Sequence, residues 1–408
     1  VRQQPDQRGG DRLYSNEAGQ FVEVTQEAGI YSSRIGFGLG VAVSDVNKDG
    51  WPDLYISNDF HENDYLYLNQ GDGTFKEQAA RLLGHTSTFS MGSDIADFNN
   101  DGWTDILSLD MKPADEAVLK ASVGADPYNI YQFKLRYGYH YQYPRNMLQL
   151  NQGIVGDSLR FSEIGQLAGV AATDWSWAPL FADMDNDGRK DLFVANGILR
   201  RPNDLDYLKF ISNDQVQASA TDLEMAQRMP GGAVPNYAFR NTGGLAFEPK
   251  SQEWGFRQKG CTNAAAFADL DLDGDLDLVT NNLNAPASIF SNQTNGKKAL
   301  QLRLEQPGLN PEAIGSRVEV VANGQLQVQE VFRSRGFQSG TVAGLHFGLD
   351  TLHRADTVRV RWPDGTWQVW AGLAAGRQLL RKSATDEPLG QPAPHRRWFE
   401  ELAPTDAG

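Results

Sequence analysis

Four stretches of this 408-residue chain repeat one arrangement of oxygen-bearing side chains, D-x-(D/N)-x-D-G-x-x-D. They are Asp45, Asn47, Asp49 and Asp53; Asp97, Asn99, Asp101 and Asp105; Asp183, Asp185, Asp187 and Asp191; and Asp269, Asp271, Asp273 and Asp277. Oxygens at positions 1, 3, 5 and 9, with glycine at position 6 for a sharp bend, suit a hard cation that takes six to eight oxygen ligands at roughly 2.3–2.6 Å. The main-chain carbonyl at position 7, from Trp51, Trp103, Arg189 and Asp275, adds a further ligand. Calcium is the expected ion, up to four per chain. Charge count tunes affinity, so the third and fourth loops are expected to bind more tightly than the first two, which carry Asn at position 3. A merely polar turn also favours Asp, Asn and Gly. Four copies in one nine-residue frame argue against that.

The flanks decide what kind of loop this is. An EF-hand needs an acidic residue at position 12 and a helix on either side. Position 12 here is Ile56, Ser108, Val194 and Thr280, and the flanks are short apolar runs such as Gly40-Val-Ala-Val-Ser44 and Leu54-Tyr-Ile56. Such runs, bounded by Gly and Asn, read as strands. Each loop is therefore expected to close a β-hairpin.

A second phrase supplies the rest of the unit. Leu13-Tyr-Ser-Asn16, Leu66-Tyr-Leu-Asn69, Leu148-Gln-Leu-Asn151, Ala238-Phe-Arg-Asn241 and Ile289-Phe-Ser-Asn292 each lead into a turn and a second apolar run. With the loop hairpin this makes a sheet of about four strands. The loops recur after 52, 86 and 86 residues; the first interval fits one propeller blade, the longer ones a blade with an insert. The inserts, 112–145 and 198–235, contain helix formers, among them a capped segment opening at Thr221. Both leave just after a loop hairpin, so both should project from one face. The aromatic run Tyr137, Tyr139, Tyr141 and Tyr143 serves either to pack the insert or as a binding platform.

Composition narrows the class. The net charge is −15, and fifteen acidic residues lie in the four loops. A chain of this balance is a poor partner for nucleic acid or an anionic membrane surface. It has no apolar run near 18 residues. Cys261 is the only cysteine, so no internal disulfide forms. Cytosolic free calcium is too low to fill loops of this kind, which points to an extracellular, cell-surface or periplasmic location. No signal peptide is visible and the chain opens on Val1, which reads as a trimmed or partial sequence.

The loop phrases resemble the FG-GAP or VCBS repeats of integrin-like β-propellers. Ala299–Lys382 resembles the ASPIC/UnbV domain that follows such repeats in the cartilage acidic protein family and its bacterial relatives. That second likeness rests on Ala313-Ile-Gly-Ser-Arg-Val-Glu-Val320, Arg335-Gly-Phe-Gln-Ser339, Leu345-His-Phe-Gly-Leu349 and Val358-Arg-Val-Arg-Trp-Pro-Asp-Gly365, and Thr173-Asp-Trp-Ser-Trp-Ala-Pro179 is typical of the bacterial group. The resemblance implies an all-β chain: four to five blades of a seven-bladed disc with helical inserts, then a small β-sandwich-like domain. Residues 1–20 would end a preceding blade, 21–296 hold the blades, 297–383 form the second domain and 384–408 a Pro-rich linker toward a further module. In the second domain, Val358, Val360, Trp362, Trp367 and Val369 are expected to share one buried face.

Two functional classes follow. The first is a calcium-stabilised extracellular recognition or adhesion module whose inserts hold a glycan or protein ligand. The second is a calcium-containing propeller enzyme such as a polysaccharide lyase, with Tyr137, Tyr139, His140, Tyr141 or Arg145 as the proton-transfer candidates. No nucleophile elbow, Ser/His/Asp frame or zinc-ligand spacing is present, so binding is the expected function.

Overall fold

The computed structural model describes residues 5–6 and 9–383; the expected linker at 384–408 lies outside the described residues. Each of the four loops joins the first two strands of an antiparallel sheet. The first sheet runs Gly38–Ser44, Asp53–Asn58, Tyr65–Asn69 and Phe75–Glu77. The second runs Ser93–Ala96, Asp105–Ser108, Met147–Val155 and Ser158–Glu163. The third runs Ser176–Ala182, Asp191–Asn196, Tyr237–Asn241 and Phe247–Pro249. The fourth has three strands, Thr262–Ala268, Asp277–Asn282 and Ser288–Phe290. These are propeller blades, and their register repeats. The residue before position 1 pairs with the position-9 aspartate in every blade: Ser44 with Asp53, Ala96 with Asp105, Ala182 with Asp191 and Ala268 with Asp277.

The apolar runs after the loops are explained by burial on both faces. Leu192 and Val194 point, with Phe181 of their own blade, into a cluster with Phe98, Leu107 and Leu148 of the second blade. Phe193 and Ala195 point the other way, against Ala238, Phe256, Ala265 and Leu278. Between the first two blades, Tyr55 and Leu66 meet Ile106, Leu159 and Phe161. Alternate residues of one strand thus serve two interfaces, and each fully buried large side chain contributes about 1.5–3 kcal/mol. On the outer side of the first blade Leu54 and Ile56 pack with Leu13, Val24 and Ile30, and each flank of the arc carries a groove. Leu39, Val41, Leu54 and Ile56 line a groove on the first, and Trp254, Phe256 and Phe290 line one on the last.

The inserts hold the helices anticipated for them. Glu116–Ala121 and Tyr128–Arg136 lie in the first; Leu205–Ile211, Asp214–Ser219 and Asp222–Arg228 in the second. Thr221 and Glu224 form a reciprocal capping box, each satisfying the other's orphan N–H. Strand two of the second and third blades runs from the loop to the insert, so inserts and loops occupy opposite ends. The inserts touch, with Val123 N donating to Asn203 O at 2.8 Å.

The C-terminal part packs two sheets face to face. Lys298–Glu305 lies between Gly344–Asp350 and Gly376–Arg381; Arg317–Ala322, Gln325–Glu330, Thr357–Arg361 and Trp367–Ala371 form the other. Leu300, Leu302, Val318, Phe347, Val358, Val360 and Trp362 fill the core. One sequence expectation reverses here. Val360 pairs with Gln368 and Val358 with Trp370, so Val369 faces outward and is exposed, while Gln368 is buried. The turn at Pro363-Asp-Gly365 shifts the strand by one residue, which moves every following side chain to the other face. Gln368 is satisfied there, its Oε1 accepting from Trp362 Nε1 at 3.1 Å.

A hairpin of this domain, Ser334–Arg335 with Ser339–Gly340, reaches in among the blades and touches the first strand of all four. At its tip Gly336 exchanges both main-chain hydrogen bonds with Ser93, at 3.0 and 3.2 Å. Phe337 packs against Trp177, ring centroids 5.0 Å apart and tilted by 53°. The approach is too close for side chains: a Cβ on Gly92 would lie 2.4 Å from Trp177 O and 2.7 Å from Gly336 O.

Candidate metal centre

The four loops share one geometry, built from main-chain donors. Position-6 N–H donates to the position-1 carboxylate in each: Gly50 to Asp45 at 2.8 Å, Gly102 to Asp97 at 2.9 Å, Gly188 to Asp183 at 2.8 Å and Gly274 to Asp269 at 3.1 Å. The position-7 N–H donates to the position-5 carboxylate, from Trp51 to Asp49, Trp103 to Asp101, Arg189 to Asp187 and Asp275 to Asp273. Position-5 N–H in turn meets the side chain at position 3: Asn47, Asn99, Asp185 or Asp271. Positions 4 and 6 are left-handed throughout, which is why glycine stands at 6. In loops three and four, carboxylate oxygens of Asp183, Asp185 and Asp187, and of Asp269, Asp271 and Asp273, converge within 4.8 Å of one another.

The position-9 aspartates play a second part. Asp53, Asp105, Asp191 and Asp277 each accept two main-chain N–H groups. One comes from position 2, namely Val46, Phe98, Met184 or Leu270. The other comes from the asparagine of the second repeated phrase: Asn69, Asn151, Asn241 or Asn292. That asparagine also clasps the blade before it. Asn151 Nδ2 donates to Val46 O at 2.9 Å, Asn241 Nδ2 to Phe98 O at 2.7 Å and Asn292 Nδ2 to Met184 O at 2.6 Å. The phrase reads in sequence as a turn; its inter-blade role needed the fold. Position 7 contributes packing too. Trp51 and Trp103 lie so near Gly71 and Gly153 that a Cβ there would come within 2.8 and 2.5 Å.

Electrostatics fit a divalent cation. Burial, then Glu330 and Asp49, push Asp45 up to about 6. Burial and Asp101 push Asp97 to about 7, and burial lifts Asp183 to about 7. Burial carries Asp53 to about 8 and takes Asp105 and Asp191 well above the carboxylate range. Asp275 rises to about 7, from burial and its hydrogen bond with Asp273. Asp45 Oδ1 is buried without a hydrogen-bond partner. Burial of this sort favours the protonated carboxyl, and a hard dication beside it favours the ionised form. Asp269 departs from the pattern: burial pushes it up, but hydrogen bonds from Gln301 and Arg377 hold it below the usual value.

Sequence analysis missed what covers this end of the arc. The C-terminal domain sits on the loops and sends a donor to each. Arg361 Nη1 lies 3.3 Å from Asp45 Oδ2, and Arg317 Nη2 donates to Gly102 O at 2.6 Å. Gly348 N donates to Asp183 Oδ2 at 3.1 Å, and His346 Nε2 lies 2.6 Å from Asn186 Oδ1. Gln301 Nε2 and Arg377 Nη2 reach Asp269 Oδ2 at 2.7 and 3.0 Å. Neighbouring loops also touch one another at position 4: Asn100 Nδ2 donates to Gly188 O and Asn186 Nδ2 to Gly274 O, while Lys48 Nζ sits 3.7 Å above the Trp103 ring. No periodicity marks the contacts from the C-terminal domain.

The proton-transfer candidates do not converge. His140 Nε2 donates to Leu83 O at 3.0 Å, and its main-chain N–H donates to Asn63 Oδ1. Arg145 is paired with Glu163 at 2.8 Å. Tyr137 is exposed and packs at 4.4 Å on Phe133, and Tyr141 is exposed beside the His140 ring. Tyr139 lies beneath Lys134, 5.9 Å from its ammonium.

Residues 45–108 match the FG-GAP-like repeat family and residues 306–387 the ASPIC and UnbV family. Human cartilage acidic protein 1 is 24% identical over 382 residues, covering 91% of this chain and 48% of that protein. Integrin alpha-3 of Cricetulus griseus is 33% identical over 111 residues, 23% of this chain and 10% of that protein. The chain thus spans about half the length of the first relative and a tenth of the second. A solved structure concerned with recognition of non-reducing terminal N-acetylglucosamine by an Agrocybe aegerita protein aligns over 89% of this chain and 93% of its own. Its identity is 13% and its TM-score 0.28, a score at which the likeness carries no weight.

Proposed function

We propose that this chain, in which FG-GAP-like repeats lead into an ASPIC and UnbV domain, is a calcium-stabilised recognition module of an extracellular, cell-surface or periplasmic protein. The observation that carries the reading is the fourfold loop geometry, with the carboxylates at positions 1 and 5 held by the same main-chain donors in every loop and those of loops three and four converging. Calcium would be held by the position-1, -3 and -5 side chains, with the position-7 carbonyl and the position-9 aspartate completing the set. The ion's role is structural: it neutralises each carboxylate group and stiffens the hairpins on which the C-terminal domain rests.

The proposed organisation follows the repeats: blades over 21–296 and the C-terminal domain over 297–383. The ligand, a glycan or a protein, is assigned to the insert end. That end lies opposite the loops on which the C-terminal sheets rest and carries the exposed rings of Tyr128, Phe133, Tyr137 and Tyr141. Rigid aromatic side chains of this kind supply contact area at low entropic cost. Among the described residues no helix is long and apolar enough to cross a membrane.

The deciding experiment is a thermal melt in millimolar calcium and again in excess chelator. Ions at about 100 times their dissociation constant stabilise by about 2.7 kcal/mol per site lost on unfolding. A large calcium-dependent rise in Tm is expected, followed by glycan and protein binding to wild type that a Tyr128→Ala/Tyr137→Ala variant loses. Equal melting points with and without calcium would end the calcium reading.

A further inference from the structure

The third loop differs from the others in what surrounds its carboxylates. Arg240 stands immediately before the clasp Asn241. Its Nε lies 2.8 Å from Asp185 Oδ2 and its Nη2 3.3 Å from Asp187 Oδ2. Lys297, where the C-terminal domain begins, brings Nζ to 3.3 Å from Asp185 Oδ1. Arg189, at position 7 of the loop itself, places Nη1 3.1 Å from Asp187 Oδ2. Three cations therefore touch the two carboxylates at positions 3 and 5.

No other loop has this. The residue before the clasp asparagine is Leu68, Leu150 or Ser291 in the other blades, and position 7 is Trp51, Trp103 or Asp275. Among the described residues, Asp49, Asp101, Asp271 and Asp273 have no ion-pair partner. The cations that pair with a carboxylate of the other loops do so at position 1, as Arg361 meets Asp45 and Arg377 meets Asp269, while Arg317 reaches loop two at the Gly102 carbonyl. Counting the contacts, loop three sets four carboxylates against three paired cations, and loop four sets five against one.

We infer that loop three is self-neutralised: Arg240, Lys297 and Arg189 stand in for the divalent ion, and this loop binds calcium most weakly of the four. The inference rests on the calcium reading of the other loops and inverts the order that acid count alone implies. An entering dication must displace these side chains or sit beside three positive charges, and either costs affinity. Loop three is then the tether that stays set without calcium. The C-terminal domain is fastened to it by Gly348 N on Asp183, by Asp350 N on Asn186 O at 2.8 Å and by Lys297 itself.

The test is calorimetric titration of the full chain with calcium. Wild type should show one site at least roughly tenfold weaker than the rest, since ligand charge sets loop affinity over several decades. An Arg240→Leu/Lys297→Gln variant, which gives position 240 the leucine of the first two blades, should tighten that site roughly tenfold or more. Adding Asp187→Asn to that variant should abolish the gained site, which ties the gain to loop three. Four equivalent sites in wild type would overturn the inference. So would a folded double variant, checked by circular dichroism, with unchanged affinities. Wild type that binds no calcium would instead remove the functional reading, a separate and recognisable failure.

Discussion

Arg335 and Asp94, 241 residues apart, meet at the centre of the blade arc, where Arg335 Nε donates to Asp94 Oδ1 at 2.8 Å. Asp94 Oδ2 also accepts from Phe181 N at 2.7 Å, and Arg335 Nη2 donates to Phe181 O at 2.7 Å. One ion pair thus joins the second blade, the third blade and the C-terminal hairpin.

Removing one partner of a buried pair strands the other charge, at a cost of about 3–5 kcal/mol. Arg335→Ala should destabilise by about 3 kcal/mol, toward the lower end because the guanidinium is partly exposed. In chemical denaturation, Arg335→Ala/Asp94→Asn should cost clearly less than the two single changes added together. Strict additivity would show that the pair is not coupled.

The clasp asparagines give a graded series. Asn151→Ala and Asn241→Ala each leave two buried carbonyls without a donor, those of Val46 and Thr104 and those of Phe98 and Lys190. A loss of about 1–3 kcal/mol is expected for each. Asn69 Nδ2 donates to Pro52 O within its own blade, so Asn69→Ala should cost the least of the three in the same denaturation series.

Gly92→Ala tests the depth to which the hairpin is seated. The added methyl would press on the main-chain oxygens of Trp177 and Gly336, and no flexible side chain can move away. Overpacking of this kind costs about 1–3 kcal/mol. Gly84→Ala, where nothing lies within 4 Å of the new atom, is the control and should melt within a degree or so of wild type.

Asp64 supplies a pH signature away from the loops. It is fully buried, accepts from Tyr55 Oη at 2.6 Å, Ser90 Oγ at 2.8 Å and Asn58 N at 2.9 Å, and burial pushes it up to about 7. A carboxyl whose folded value is raised holds its proton more tightly folded than unfolded. Its stabilisation is complete below about pH 4 and is lost as pH rises to about 7. At saturating calcium, Asp64→Asn should therefore flatten the decline of stability across that window, by at most about 1.4 kcal/mol per pH unit, the limit for one proton. Parallel wild-type and variant curves would contradict this.

Much of the architecture is legible in the residues because its causes are local. Turn chemistry places glycine and aspartate where the chain bends. The apolar runs at Ile106–Leu107 and Leu192–Ala195 mark strands buried on both faces, and Thr221 with Glu224 announces a helix start. These rules act over a few residues, so the repeat, the blades and the capped insert helices could be read directly. What the sequence left open lies at long range. Val369 turned outward because a turn shifted the register by one residue. Arg335, Arg361, Arg377 and Lys297 carry no period that would join them to Asp94, Asp45, Asp269 and Asp185. Only the packing of the second domain onto the loop end brings those charges together. The sequence by itself determined which side chains form each loop, and the tertiary structure decided which cations stand beside them.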